Sequence, residues 1–541
     1  MADTTTELEV LDEIIVNLGG EAGHHKTVVP ALEEIRDLLG ATKLVWDNDK
    51  MCFTNESLSA LMVSKRNGLA YGVSIPKGSA TACTKIGANA DIPAPTPGII
   101  GRAAIDPYVG VGPFWYATVN GFVDEDGTPH VTAFEGDGNF KADGTNGNVW
   151  IMAPVLWWTM DESADDAVTI TVSDMRLPGM KEQPQAYLPD GTLRPYMLYA
   201  KYIGSNDGNN RMASVSGAEP WAWNVSHNSL IAQCDTAHSG YSGKSIADDW
   251  YLKIMFLLKY ATKNSQSVFT GCVAYNYQYN PAVAEEGASR VILTNAQAAT
   301  LHVGSSVMLG THDGTTSNDR NVAANHDVFS NRQIASIEEY DASHKAVVFD
   351  GDPFDVATTY LLSTAAWRSG VLDAVEGDGT LTDAGRANSH EPFKIQGIET
   401  MVGILELLGD VALNGDAELG WQVCVNYDSR KEATTITADY VSTGKYLEAG
   451  EGGGWHYPMY PSNAGGLLLG QGTGASTTTG MCDGHYTSAL GTGAREWYGL
   501  GSLHNGSDAG LWCVYGSSGL AIVSWSIGSR LSGTGRGRAA A

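Results

Sequence analysis

Arg495-Glu-Trp-Tyr-Gly-Leu-Gly-Ser-Leu-His-Asn-Gly-Ser-Asp-Ala-Gly-Leu-Trp-Cys-Val-Tyr-Gly-Ser-Ser-Gly-Leu-Ala-Ile-Val-Ser-Trp-Ser-Ile-Gly-Ser-Arg-Leu-Ser532 decides how the chain is read. Glycine and tryptophan punctuate it. Between them stand single residues of varied chemistry: Tyr498, His504, Asp508, Tyr515, Ser517, Ser518, Leu520, Ile522, Ser524 and Ser526. Tyrosine offers a large contact area at low entropic cost, and Ser, Gly, Asn and Asp offer adaptable hydrogen bonds. This is the composition of a binding surface on a rigid frame. It is not the composition of a catalytic pocket.

Upstream, Gly397–Gly409 places Ile398, Met401, Val402, Leu405 and Leu408 at spacings that predict a helix with one apolar face. A second helix is predicted from Ser245. That residue can cap it, Asp248 and Asp249 suit its first turn, and Trp250, Ile254, Leu257 and Leu258 make a buried face. Residues 280–380 read as a small β unit with short runs at Val291–Leu293, Ser306–Leu309, Gln333–Glu338 and Ala346–Phe349. Residues 46–145 read as β-rich. Residues 146–279 combine strands, such as Val149–Trp158, with the helix after Ser245. Residues 1–45 carry two short amphipathic helices suited to attachment or oligomerisation. The fold class expected is therefore α+β and β-rich. The glycine-rich region from Gly450 carries Trp455, Trp497, Trp512 and Trp525, which argues for ordered loops rather than a disordered linker.

Composition narrows the function. The formal net charge is −28 and no Lys/Arg cluster is present, so duplex nucleic acid and anionic membranes are poor partners. Seven cysteines show no paired spacing, which argues against a zinc site or a disulfide framework. Asp124-Glu-Asp-Gly127 lacks the rest of a calcium loop and reads as a turn. No cofactor is expected, and the sequence gives no support for bound calcium. The first residues lack the basic and apolar regions of a signal peptide, and no apolar run approaches twenty residues.

The order Gly397-Ile398-Glu399, Gly403, Tyr486, Gly501-Ser-Leu-His-Asn-Gly506, Ala509-Gly-Leu-Trp512 and Trp525-Ser-Ile-Gly-Ser-Arg-Leu531 resembles C-type-lectin-fold domains. It resembles most the branch shared by formylglycine-generating-type domains and retroelement-diversified phage tail proteins of the major tropism determinant type. The resemblance implies a split domain. Residues 146–279 would be its first half, 280–380 an insertion, and 381–541 its second half, with a variable segment over 495–531. In such systems mutation strikes template adenines, and the ten varied residues named above all belong to the set reachable from Asn codons. Trp497, Gly506, Gly510, Trp512, Trp525 and Gly528 do not move easily under that process and read as framework. Trp512 also joins the ligand-binding set as an aromatic anchor. Arg530 reads as a structural residue held by Glu399 or Glu406. The implied protein is a receptor-binding component of a virion tail, most simply a homotrimer. Its partners would be other tail proteins and a bacterial surface protein or glycan.

The competing readings are a cellular lectin-like adhesin and an enzyme, either a depolymerase or a formylglycine-generating-type oxidase. No catalytic constellation stands out. Cys482 and Cys513 do not match the oxidase cysteine pair in context. There is no HExxH and no nucleophile elbow. Gly243-Lys-Ser245 lacks the first glycine of a phosphate loop, with His238 in its place. Trp115, Trp157, Trp158 and Trp221 could form a sugar platform but read more simply as β-domain core.

Overall fold

The computed structural model describes residues 44–235, 240–312, 320–448 and 452–537. The helices expected within 1–45 lie outside the described residues, save for the last two positions of that span. Strand makes up 38% and helix 12%, so the chain is β-rich.

Helix α1 (Asn55–Lys65) lies within the span read as β-rich and was not itself expected; Thr54 caps it by accepting from the Ser57 N–H. Helix α2 (His227–Asp235) was likewise not foreseen. Helix α3 (Ile246–Tyr260) follows Ser245 as its spacing predicts. Ser245 and Asp248 form a reciprocal capping box, and Asp410 accepts from the Ile246 N–H at 3.0 Å. Every residue of α3 is buried, because it runs between sheets. Its core cluster takes in residues of two sheets, from Trp157–Asp161, Ala167–Ser173 and Tyr71–Pro76 in one and from Asn148–Ala153 and Met197–Ala200 in the other. The predicted strand Val149–Trp158 is in fact two strands in different sheets, broken at Pro154, which has no N–H to give a ladder.

The strands between Gln278 and Thr364 pair with one another. Six of them form an antiparallel sheet in the order Gln278–Tyr279, Leu361–Thr364, Ser306–Gly310, Phe329–Glu339, His344–Phe349 and Arg290–Thr294. The core of this unit runs on into Val402, Leu503 and Trp525 of the body.

The helix predicted over 397–409 does not form. Phe393–Ile395 and Ile398–Thr400 make a hairpin, and a long strand, Leu405–Asp416, follows. The connection is a two-residue turn. Gln396 at φ 49° and Gly397 at φ 75° have the positive dihedrals of a type I′ turn, flanked by the pair Ile395↔Ile398. Leu405–Leu413 is buried at every position, so apolar residues on both strand faces imitated a helical stripe. A Cβ at Gly397 would stand 2.5 Å from Ile151 Cδ1 and 2.8 Å from Tyr116 Cε2. Gly397→Ala is therefore expected to cost about 1–3 kcal/mol, read as a lower urea midpoint. An unchanged midpoint would show that the hairpin does not depend on this turn.

Leu405–Asp416 belongs to the largest sheet, ordered Val441–Leu447, Gly420–Val425, Leu405–Asp416, Gly493–Leu500, Gly510–Gly516, His485–Thr487 and Gly454–His456. Near the end of the described chain, Leu531–Ser532 crosses to another sheet and lies between Ser242–Gly243 and Met197–Ala200. The segment 495–532 is thus tied at both ends into the body.

Candidate ligand-binding face

The large sheet carries one row of aromatic side chains. Register places Trp455 opposite Tyr486, Tyr486 opposite Tyr515, Tyr515 opposite Tyr498, and Tyr498 opposite Leu407. Registered neighbours point to the same face, so the five form a continuous line. Its two ends differ. Tyr498 and Leu407 lie in the core, with α2 residues Leu230 and Cys234 in the same cluster. Trp455, Tyr486 and Tyr515 are half-buried. Tyr486 and Tyr515 stack at 4.7 Å, and Trp455 stands edge-on to Tyr515 at 5.2 Å. Gly484 makes this possible, since a Cβ there would come within 2.5 Å of Trp455 Cε3.

The loop 501–509 borders this row. Tyr457 donates its hydroxyl to Asp508, and the Asp508 carbonyl accepts from Gly484 N at 2.8 Å. Burial, then the neighbouring thiol of Cys513, pushes the Tyr515 hydroxyl up to about 12, so it stays an un-ionised donor at neutral pH. His504 is exposed at the other end of the loop, with its ring 5.8 Å from that of Trp525. Though the residue as a whole is exposed, the partial desolvation of its ring, and then the charge of nearby Arg320, lower its pKa.

The loop 517–524 is held by its backbone. Its carbonyls accept from four points on the frame: Ser517 O from Ser488 Oγ at 3.0 Å, Ser518 O from Glu496 N at 2.9 Å, Leu520 O from Asn228 N at 3.0 Å, and Ser524 O from Trp223 N at 3.1 Å. Its tip, Ala521-Ile522-Val523, is exposed, with Ile522 at 49% and Val523 at 46%. Large apolar side chains this open at a loop tip are available for contact. Because the anchors are main-chain groups, most side chains of the loop can change without loosening it. Leu520 and Ser524 are the exceptions: Leu520 is buried, and the Ser524 hydroxyl bonds Ser526 Oγ at 3.1 Å and Asn321 Oδ1 at 3.2 Å.

The expected ligand-binding set therefore divides. His504, Asp508, Tyr515, Ser517, Ser518, Ile522 and Ser524 are at least partly exposed. Tyr498, Trp512, Leu520 and Ser526 are not: they are 1%, 1%, 7% and 6% exposed. These four are corrected from contacts to frame. Tyr498 sits at the buried end of the aromatic row. Trp512 lies in the main core, with the Lys253 ammonium 5.4 Å from its ring. Trp497 and Trp525 are also buried, in two different clusters. Gly506 begins the short turn Gly506–Asp508; Gly510 opens its strand against Asp483; and Gly528 packs under Ile404.

Arg530 is buried and grips Glu406 with two hydrogen bonds, Nε to Oε2 at 2.9 Å and Nη2 to Oε1 at 2.6 Å. It reaches Glu399 only through that residue's carbonyl oxygen. The Glu399 carboxylate instead accepts from the N–H groups of Gly370 and Leu372. Lys244, from the dismissed phosphate-loop motif, also pairs with Glu406, at 3.0 Å.

Sequence reasoning did not assign Trp455, Tyr457 and Tyr486 to this face. They lie outside 495–531 and reach Tyr515 and Asp508 only through pairing of distant strands. Asp124–Gly127 forms a hairpin turn, in which His130 takes up the Asp124 carboxylate at 2.6 Å. No protein-family model matches this chain, and no curated protein matches it either.

Proposed function

We propose that this chain is a receptor-binding protein of a phage virion tail. Its ligand-binding face would be the half-exposed aromatic row together with the loops 501–509 and 517–524. The observation that carries the reading is the anchoring of loop 517–524 by four main-chain carbonyls, with the side chains of its tip, 521–523, left to solvent. A surface built this way keeps its shape while its contact residues change. Diversification by a retroelement demands that separation of frame from contacts.

The lectin-type reading of the domain draws support from chain closure. Leu531–Ser532 returns beside Met197–Ala200, so the two halves on either side of the 278–364 unit share a sheet. Tail attachment and trimer formation are assigned by this reading to residues 1–45. Several copies on one virion would raise weak single-site binding through effective concentration.

Sequencing codons 490–535 across a population of the source genome tests the proposal. Changes are expected to concentrate at His504, Asp508, Tyr515, Ser517, Ser518 and Ile522, with fewer at Ser524, whose hydroxyl is bonded, and to fall on template adenines. Trp512, Trp525 and Gly528 should stay fixed, and Tyr498, Leu520 and Ser526 should vary little. A segment that varies no more than the rest of the gene would end the diversification reading. Replacing Cys482 and Cys513 with Ser separates the oxidase alternative, since an oxidase would lose activity and a receptor-binding protein would keep binding.

A further inference from the structure

A second feature lies beside the variable segment and is not part of the aromatic row. A cleft of about 330 Å³ opens between the loop carrying Glu219–Trp223, the 278–364 unit and Trp525. We infer that this cleft binds a single neutral sugar ring, stacked on Trp223 and hydrogen-bonded to Glu219. Its volume sits near the lower end of roughly 300–1,000 Å³ for small-ligand sites, room for one ring rather than a chain.

The platform is built with strain. Trp223 at φ 54° and Asn224 at φ 67° are consecutive non-glycine residues in the left-handed region, which costs of order 1 kcal/mol each. The surrounding structure over-determines the geometry. Trp223 N donates to Ser524 O at 3.1 Å, and His326 stands edge-on to the Trp223 ring at 5.0 Å. Trp223 packs one part of its ring on the core of the 278–364 unit and is only half-buried, which leaves the rest of it open to the cleft. Trp525 forms a wall: Arg320 lies 4.9 Å from its ring and His504 5.8 Å from it, so its ring is already engaged.

The polar groups select the class of ligand. Glu219 Oε2 accepts from Ser330 Oγ at 3.0 Å, and Oε1 has no protein donor among the described residues. His326 Nε2 donates to the Arg320 carbonyl at 2.8 Å, which leaves Nδ1 of a neutral ring as an acceptor. Arg368 is close enough to Glu219 to offset part of its charge, while its Nε, Nη1 and Nη2 each donate to Gly217 or Asn331. The cleft therefore offers acceptors, one aromatic face and little net charge. A hydroxylated ring with an apolar C–H face matches all three. A phosphate or acidic sugar meets a carboxylate on a protein of net charge −28. The inference borrows from the receptor-binding reading only the source of the sugar, a surface glycan.

The test uses the full chain and a panel of methyl glycosides: glucoside, galactoside, mannoside, rhamnoside and N-acetylglucosaminide. Saturation-transfer NMR and tryptophan fluorescence follow binding. At least one glycoside is expected to receive saturation on its ring C–H protons. That binding should weaken at least about tenfold in Trp223→Ala and in Glu219→Ala, the loss of one ring contact or of the side-chain acceptor. Unfolding midpoints check that each variant is folded, and Glu219→Ala, at an exposed position, carries the test if Trp223→Ala does not fold. Saturation of no glycoside, or equal binding by the folded variants, overturns the inference. So does binding of N-acetyltryptophanamide in place of every glycoside, which would assign the cleft to a protein side chain. Glycoside binding alongside an invariant segment 490–535 would keep this inference and remove the diversification reading.

Discussion

Arg530→Ala is expected to lower stability by about 3–5 kcal/mol, the usual cost of stripping one partner from a buried ion pair. Arg530, Glu406, Lys244, Asp249 and Lys253 form a chain of buried charges. Its links are Arg530–Glu406 at 2.6 Å, Lys244–Glu406 at 3.0 Å, Lys244–Asp249 at 3.6 Å and Lys253–Asp249 at 2.6 Å. Removing the guanidinium also deprives the carbonyls of Ala200 and Glu399 of a donor. Burial raises the Glu406 pKa, but Arg530 and Lys244 outweigh it and hold the group at about 2. Its ordinary value is 4.5, so in the folded chain it binds its proton less readily than in the unfolded one. The stability this supplies is complete above about pH 4.5 and is lost as pH falls towards 2. Urea unfolding of wild type and variant at pH 7 and pH 3 measures both effects. The midpoint gap should narrow at pH 3. A midpoint at pH 7 within about 0.5 kcal/mol of wild type would show that the chain tolerates the loss, as a surface pair would.

Glu496→Gln is expected to act in the opposite direction. Glu496 is buried beside the start of α2, where Oε1 accepts from the His227 N–H at 2.9 Å. Burial raises its pKa to about 9, against which the His227 N–H pulls only weakly. Between its ordinary value of 4.5 and about 9, the folded state holds a proton that the unfolded state has released. Stability therefore falls as pH rises through that window. One unit is worth about 1.4 kcal/mol, so the cost at pH 8 is several kcal/mol. Glutamine keeps the acceptor for His227 and carries no proton to lose. The variant should exceed wild type in urea midpoint at pH 8 by about 2 kcal/mol or more, and the two should converge near pH 5. Equal midpoints at both pH values would mean that Glu496 ionises in place without penalty.

What could be read from the sequence follows from the range of the interactions involved. Helix α3 was legible because its signals are local: Ser245, Asp248 and Asp249 at its start and an apolar face after them. The strands within 280–380 were legible for the same reason, as short β-branched runs between turns. The stretch 397–409 was not. Apolar spacing cannot separate a helix from strands buried on both faces, and the Gln396-Gly397 turn that decides the matter lacks the Asn-Gly or Asp-Gly that announces a type I′ turn. Within the candidate face, composition identified contact-type residues but not their depth. Tyr498 and Tyr515 are the same residue on neighbouring strands, and long-range packing against residues such as Leu230, Leu407 and Ile527 makes one core and leaves the other half-buried. Trp455 and Tyr486 join Tyr515 through a parallel pairing of Tyr486 with Tyr515, which no local pattern announces.

The position of Leu531–Ser532 has a further effect. The strand that seals the domain lies downstream of every residue proposed to vary, and so does Arg530. A reading-frame slip or a stop codon anywhere in 495–526 removes the seal together with the altered residues. Such a product lacks the guanidinium that Glu406 and Lys244 were built around and leaves Met197–Ala200 and Ser242–Gly243 without the strand between them. If the segment is diversified as proposed, its copying errors would sort themselves: substitutions would yield a displayed surface, while truncations would yield an open domain for proteases to clear. Proofreading of the stretch would then be delegated to folding itself.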